Sequence, residues 1–382
     1  MKAHGYGDVE RCNVVCPTLP VLPDEIVIEI LVRLPVKSLL QFKRVCKSWR
    51  ILISSSQFAI HNFRQRCSAD RHLPSRLVYA NKSYNHCGFG FLPLQPLFKN
   101  PSATTPVVSF DMGYCIGGIV IRGSCNGLLC LHHLGSRCFC LWNPCTGAAS
   151  QWIHIKFVTS LTYFGFGYDH VHDKYKLVTA HRQDLIRIYT FGANSCTLGP
   201  NFDHPAVGLS GNIGKYLSGT GTLNWMAKVK EKNWVILSFD LPNETFGQVS
   251  LPYLSGHNTC DPELQILRNC LSFTIDHKDT VLDVWMMKDY GVWESWTMIS
   301  RVNLWCPYHN YPLTPLSIWG HDVLLLMLPD RRLVLYNSDT GLFHYPLIDS
   351  SSDSILSPIY VCYKRNSLRT FFVYHDSLVS PP

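Results

Sequence analysis

Two different rhythms of apolar and polar residues divide the chain. Between residues 20 and 63 the rhythm is helical: Ile26, Ile30, Leu31 and Leu34 fall on one side of a helix. Pro23 sits where a helix starts, because its missing N–H would be unpaired there anyway. Asp24 and Glu25 then favour the positive end of the helix dipole. Pro35 ends the helix, since the residue before a proline is pushed out of the α region. Ser38 is expected to cap a second helix carrying Leu39, Leu40, Phe42 and Val45. Ser48 is expected to cap a third, with Trp49, Leu52 and Ile53 facing inward. Three helices of this size cannot bury all these side chains, so a partner surface is expected to complete their core.

After Phe63 the helical period gives way to short apolar runs separated by turn residues. Five segments repeat one pattern, an apolar strand, a polar turn and a strand ending on an aromatic. The aromatics are Trp142, Tyr189, Phe239, Trp285 and Tyr336, at intervals of roughly 46 to 51 residues. A four-stranded blade buries both faces only between neighbours, so a ring of blades is the stable solution. The pattern predicts a large all-β, propeller-like domain of about six blades of kelch type. Residues 76–80 and 358–374 are expected to share the closing blade. A pair of β-sandwiches is the alternative. The expected division is a flexible N-terminus at 1–19, a helical module at 20–63, a linker at 64–75, the β domain at 76–378 and a tail at 379–382.

Composition narrows the class. Hydrophobic residues make up 46% of the 382 positions and charged residues 16%, enough for a core and against general disorder. The net charge of +7 comes without a nucleic-acid module signature, so no nucleic-acid partner is expected. No apolar run has signal-peptide or membrane-span character, which predicts a cytoplasmic and/or nuclear protein with no membrane partner. The 16 Cys then read as reduced, mostly buried small hydrophobes.

The helical module resembles an F-box. Leu22-Pro23-Asp24-Glu25-Ile26, then Arg33-Leu34-Pro35-Val36-Lys37-Ser38-Leu39, then Val45-Cys46-Lys47-Ser48-Trp49 lie at that family's spacing. The resemblance implies a three-helix F-box docking on a Skp-type adaptor, and through it on the cullin and RING subunits of an SCF ubiquitin ligase. It assigns Leu22, Pro23, Ile26, Ile30, Leu31, Leu34, Pro35 and Val45 to the docking surface or its support. The β region resembles the plant F-box-associated domain, also called kelch-type or S-locus-F-box-like. The resemblance rests on Ser124-Cys125-Asn126-Gly127-Leu128-Leu129-Cys130, Leu141-Trp142-Asn143-Pro144, Phe164-Gly165-Phe166-Gly167-Tyr168-Asp169 and the run from Asp283-Val284-Trp285 to Trp296-Thr297. Cys145 departs from it, standing where that family has Ser or Thr. What these resemblances imply together is a non-catalytic receptor that recruits a target protein for ubiquitination and degradation. The rival reading is a propeller enzyme or carbohydrate-binding protein with a helical extension.

Sharper chemistry finds little support. The cysteines around His132 and His133 lack the Cys-x-x-Cys pairs a structural zinc site uses. His170-x-His172-Asp173 has turn composition between two strands. No nucleophile elbow or phosphate loop occurs. No cofactor, metal or catalytic residue is therefore expected. Trp293 and Trp296 are expected to pack between blades. Trp305, Tyr308 and Tyr311, on a proline-interrupted stretch, are the expected anchors for the target protein.

Overall fold

The computed structural model describes residues 22–69, 75–83, 86–155, 162–181, 186–193, 195–200, 206–229, 233–252, 260–277, 280–303, 313–328, 332–349 and 371–382. Its N-terminal part is helical. α1 (Asp24–Val32) starts after Pro23 and ends at Arg33. α2 (Val36–Phe42) starts directly after Pro35, not at Ser38. The ring of Pro35 already fixes the φ that the position before a helix needs, so Ser38 falls inside the first turn. α3 (Lys47–Ser54) is capped by Cys46 in place of Ser48: Cys46 is extended, and its Sγ accepts the Trp49 amide at 3.5 Å. A fourth helix, α4 (Ser56–Ala69), follows and includes residues 64–69, which the sequence pattern assigns to a linker. Its buried side is short, Phe58, Ala59 and Asn62, and is diluted by polar neighbours. The Asn62 amide donates to the carbonyls of Val32 (2.7 Å) and Leu34 (3.1 Å), pairing groups left free at the end of α1.

The rest of the chain forms six antiparallel four-stranded units among the described residues. Blade 1 combines Ser75–Ser83, His86–Pro93 and Val108–Tyr114 with Phe372–His375 from the far end of the chain. Blades 2 to 6 begin at Ile119–Cys125, Thr162–Asp169, Ala206–Leu217, Glu263–Leu267 and Thr314–Trp319. These strands, with Phe372–His375, are the innermost ones. Each touches the next in order and the last touches the first, so the ring is closed. Blades 3 and 4 fuse into one eight-stranded sheet through a single parallel pair, Ile213 with Phe164. The expected sharing of the closing blade is present: Arg76 pairs with Tyr374 and Leu77 with Val373.

The repeated aromatics have one job. Trp142, Tyr189, Phe239, Trp285 and Tyr336 each lie on the third strand of blades 2 to 6. One apolar cluster fills each of the six seams between neighbouring blades. The long motif of blade 5 serves the seam with blade 4: Tyr290 bonds Ser238 (2.6 Å) and the Trp296 indole donates to the Ser250 carbonyl (3.0 Å). Trp293 differs from expectation. It also reaches blade 4, donating to the Leu251 carbonyl at 3.2 Å, but is 51% exposed because it lies on a short 3-10 turn outside the strands.

Two further motifs close the ring. Asn126 and Gly127 both take positive φ in the hairpin turn of blade 2. A Cβ on Gly127 would lie 2.1 Å from Ser377, so the C-terminal segment passes directly over it. Asn143, fully buried, donates to the carbonyls of Ser377 (3.0 Å) and Val379 (2.7 Å). Its own oxygen accepts the amides of Cys145 and Thr146. Val379, expected in a tail, is buried in the seam between blades 2 and 3.

Candidate functional site

The helical module presents apolar side chains that no described residue covers. Ile26 and Ile30 lie four residues apart on one face of α1, and Leu22 precedes the helix, just ahead of Pro23. Leu22, Ile26 and Ile30 are 55%, 47% and 49% exposed, an unusual state for three aliphatic side chains so near in sequence. Pro23 and Pro35 are exposed, as is Val45 in the turn before α3. Leu31 is buried and Leu34 half-buried, so these two support the surface from behind. Ile51 on α3 is also exposed and was not among the expected residues. A signal for it exists: Trp49, Leu52 and Ile53 define the inward side of α3, and Ile51 falls off that side. Lys37, Arg44, Lys47 and Arg50 are exposed around the α2–α3 turn. Burial, and then the neighbouring Arg50 charge, lowers the Lys43 pKa. The Cys46 thiol is held below its usual range by hydrogen bonds from Ser48 and the Trp49 amide.

The other side of the module is fixed to the ring. Leu31, Val32, Val36, Leu39, Ile53 and Phe58 belong to the same buried cluster as the seam between blades 2 and 3. Arg66 on α4 donates to the Asp376 carbonyl at 3.1 Å. An open groove of about 390 Å³ separates Ile60, His61 and Arg64 on α4 from Tyr168, His170 and Asp173 on blade 3. The stripe on α1 is thus held at a set position relative to the blades, not on a swinging arm.

The polar interior of the ring ties blades together. Asp169, buried on blade 3, contacts His172 and Lys176, each at 2.8 Å. Lys176 also bonds Glu244 (2.8 Å) and the Leu241 carbonyl (2.7 Å) on blade 4. Burial works to raise the Asp169 pKa, but the bonds from Lys176 and His172 outweigh it and hold the carboxyl low. Burial likewise works against Lys176, and its two carboxylate partners raise it. The His170-x-His172-Asp173 stretch is a turn, with His172 committed to Asp169 and Asp173 accepting from the Tyr168 hydroxyl. No group of three or more His, Cys, Asp or Glu among the described residues is placed to hold a metal. Burial pushes the thiols of Cys140 and Cys145 up to about 12 and about 11, which makes them poor nucleophiles. Trp305, Tyr308 and Tyr311 lie outside the described residues.

Comparisons with known proteins agree with this division. An F-box domain model matches residues 19–61, and an F-box associated beta propeller domain model matches residues 118–380. An F-box/kelch-repeat protein of Arabidopsis thaliana is 31% identical over 353 residues, covering 89% of this chain and 94% of the relative. An Arabidopsis thaliana F-box protein is 25% identical, covering 84% and 86%. Among solved structures, oligogalacturonate lyase in complex with manganese overlays 70% of this chain and 78% of its own at 10% identity, with a TM-score of 0.43. That likeness is too slight to bear on chemistry.

Proposed function

Because the chain belongs to the F-box proteins that carry an F-box associated β-propeller domain, we propose that it is the substrate-recognition subunit of an SCF-type ubiquitin ligase. The observation that carries this reading is the exposed pair Ile26 and Ile30, with Leu22 just ahead of them, on a helix otherwise anchored to the ring. A helix with an apolar face left open by the described residues suits the helix-in-groove mode of recognition, and here the groove belongs to a Skp-type adaptor. Pro23, Pro35 and Val45 extend the contact, and Leu31 and Leu34 set its shape. The basic residues beside Val45 meet an acidic adaptor surface and speed encounter.

The receptor does no chemistry of its own. It holds a target protein on the propeller while the adaptor, cullin and RING subunits deliver the ubiquitin-loaded enzyme. Transfer becomes effectively intramolecular, and rigid docking of α1–α4 on the ring raises the effective concentration. Target capture is assigned to Trp305, Tyr308 and Tyr311, on a connection stiffened by Pro307 and Pro312. The complex works in the cytoplasm or nucleus. An affinity purification from plant extract tests this: the intact chain recovers adaptor, cullin and RING subunit together, and Ile26→Asp/Ile30→Asp recovers none. Equal recovery by both proteins would sink the reading.

A further inference from the structure

The outer strand of blade 1, Val108–Tyr114, stands open along its free edge. It pairs with His86–Pro93 and is the last strand of its sheet, so every second residue turns its N–H and C=O outward. No residue of this strand is buried. Val108, Phe110 and Met112 alternate along it and are 52%, 42% and 36% exposed. Val108 and Phe110 share the sheet face of their cross-strand neighbours Phe91 and Phe89. That face looks toward blade 2, where the Phe110 ring lies 4.8 Å from the Trp142 ring. Blade 2 covers little of it at the rim, because its own outer strand is only Ile153–His154. Trp152 beside that strand is 45% exposed. Ile116 and Leu134, brought near each other by the Leu134 amide on the Gly118 carbonyl (2.9 Å), are exposed as well.

The other outer strands are guarded in ways this one is not. Ser195–Leu198 and Leu342–His344 are short. Thr245–Ser250 buries Val249, and Trp296–Asn303 buries Trp296, Ser300 and Val302 and carries the charge of Arg301. A long edge that keeps three apolar side chains in water is a site of strand addition. Its pattern says with what. Val108-Ser109-Phe110-Asp111-Met112 reads apolar, polar, apolar, polar, apolar in both directions about Phe110. Antiparallel pairing of two copies about Phe110 sets Phe110 against itself, Val108 against Met112, and Ser109 against Asp111. That register avoids a like-charge pair of Asp111 with its own copy and puts a hydroxyl opposite each carboxylate. The symmetric stretch is bounded at both ends. Gly113 takes a φ of 81° where the pairing with His86–Pro93 shifts register, and Pro106 is already paired with Asp349.

We propose that the outer strand of blade 1 is a homodimer interface, where two copies of the chain join edge to edge about a two-fold axis at Phe110. The two four-stranded blades become one continuous sheet, with Val108, Phe110 and Met112 of both copies on one face. The contact is isologous and closes on itself, so it yields dimers and not fibres. A single strand pair with this patch falls at the low end of specific interfaces, below ~1,200 Å² in total, for which a dissociation constant on the order of 10 μM is expected. The helical module packs through the seam between blades 2 and 3 and uses none of these residues. Each copy therefore keeps its own α1 face, and a partner with two sites would bind the dimer by avidity.

Sedimentation velocity of the full chain tests the pairing without any other protein. The wild type should pass from monomer to dimer between about 1 and about 100 μM. Val108→Lys/Met112→Lys sets a lysine of one copy against a lysine of the other and should weaken association at least tenfold. Its unfolding midpoint should stay within about 2 °C of wild type, because both side chains are exposed. If that variant does not fold, Val108→Thr/Met112→Gln, which adds no charge, should still weaken association severalfold. Mild oxidation reads the register: Ser109→Cys mixed with Asp111→Cys should give dimers crosslinked between those two positions, and Asp111→Cys alone should not. A wild type that stays monomeric at about 100 μM overturns the proposal. So does undiminished dimerisation of the folded double variants, or a crosslink yield as high for Asp111→Cys alone as for the mixture. A monomeric chain that loses its target protein on Val108→Lys/Met112→Lys gives the strand to the target and overturns the proposal too.

Discussion

Replacing Asn143 by Ala isolates the step that closes the ring. The side chain is fully buried and makes four hydrogen bonds, two to carbonyls of the C-terminal segment and two from amides of its own turn. Truncation strands these groups away from water. With about 1 kcal/mol for each lost bond, and more for a buried group left unpaired, the loss sums to roughly 3–5 kcal/mol. For a domain of this size that lowers the unfolding midpoint by on the order of 10 °C. Asn337 is the internal control. It holds the same place after the third-strand aromatic of blade 6, where it accepts the amides of Asp339 and Thr340 and donates to Asp322. That site is only half-buried, so water replaces much of the lost bonding and Asn337→Ala costs only about 1 kcal/mol. Thermal melts of the three proteins give the comparison, and hydrogen exchange should show residues 371–382 losing protection in Asn143→Ala first. Equal losses for the two variants, or a midpoint within about 1 °C of wild type for Asn143→Ala, would refute closure through this residue.

Other outcomes follow from the same contacts. Ile26→Asp should leave the melting midpoint near wild type because the side chain is exposed, whereas Leu31→Ala should cost roughly 2–5 kcal/mol; a large stability loss from Ile26→Asp would make the stripe a hidden core. Asp169 is held below its unfolded pKa near ~4, so its contribution is present above that value and lost as pH falls through the folded pKa. The stability gap between wild type and Lys176→Met should therefore be widest at neutral pH and narrow in acid, which pH-resolved denaturation measures. Glu244 takes a left-handed φ of 54° where the matching turns have Gly147 and Gly341. Glu244→Gly relieves that strain but removes a partner of Lys176, and the midpoint should fall; a rise would show that the strain outweighs the ion pair.

The sequence and the structure meet most closely where a residue's role is local or repeated. The third-strand aromatics were visible because each blade needs one large side chain in its seam, and five repeats make the interval plain. Asn143 stood in a visible motif, but its role was not legible: its partners Ser377 and Val379 lie 234 and 236 positions away along the chain. Cys46 as a cap was hidden by two conventional serines nearby, and α4 by a buried side only three residues wide. On the helical face the period of α1 was readable, but which of its apolar residues stay exposed depends on where the ring packs. That is why Leu31 and Ile30, adjacent in sequence, end at 1% and 49% exposure.

In the proposed function, the exposed apolar face of α1, held on the closed ring, docks the chain on a Skp-type adaptor. Calorimetric titration of the purified full chain with a purified Skp-type adaptor tests it directly. The account predicts a one-to-one complex with sub-micromolar affinity, roughly −8 kcal/mol or stronger, that weakens at least a hundredfold in Ile26→Asp/Ile30→Asp while the propeller melts unchanged. No heat of binding at tens of micromolar adaptor, or equal affinity in the double variant, would contradict it.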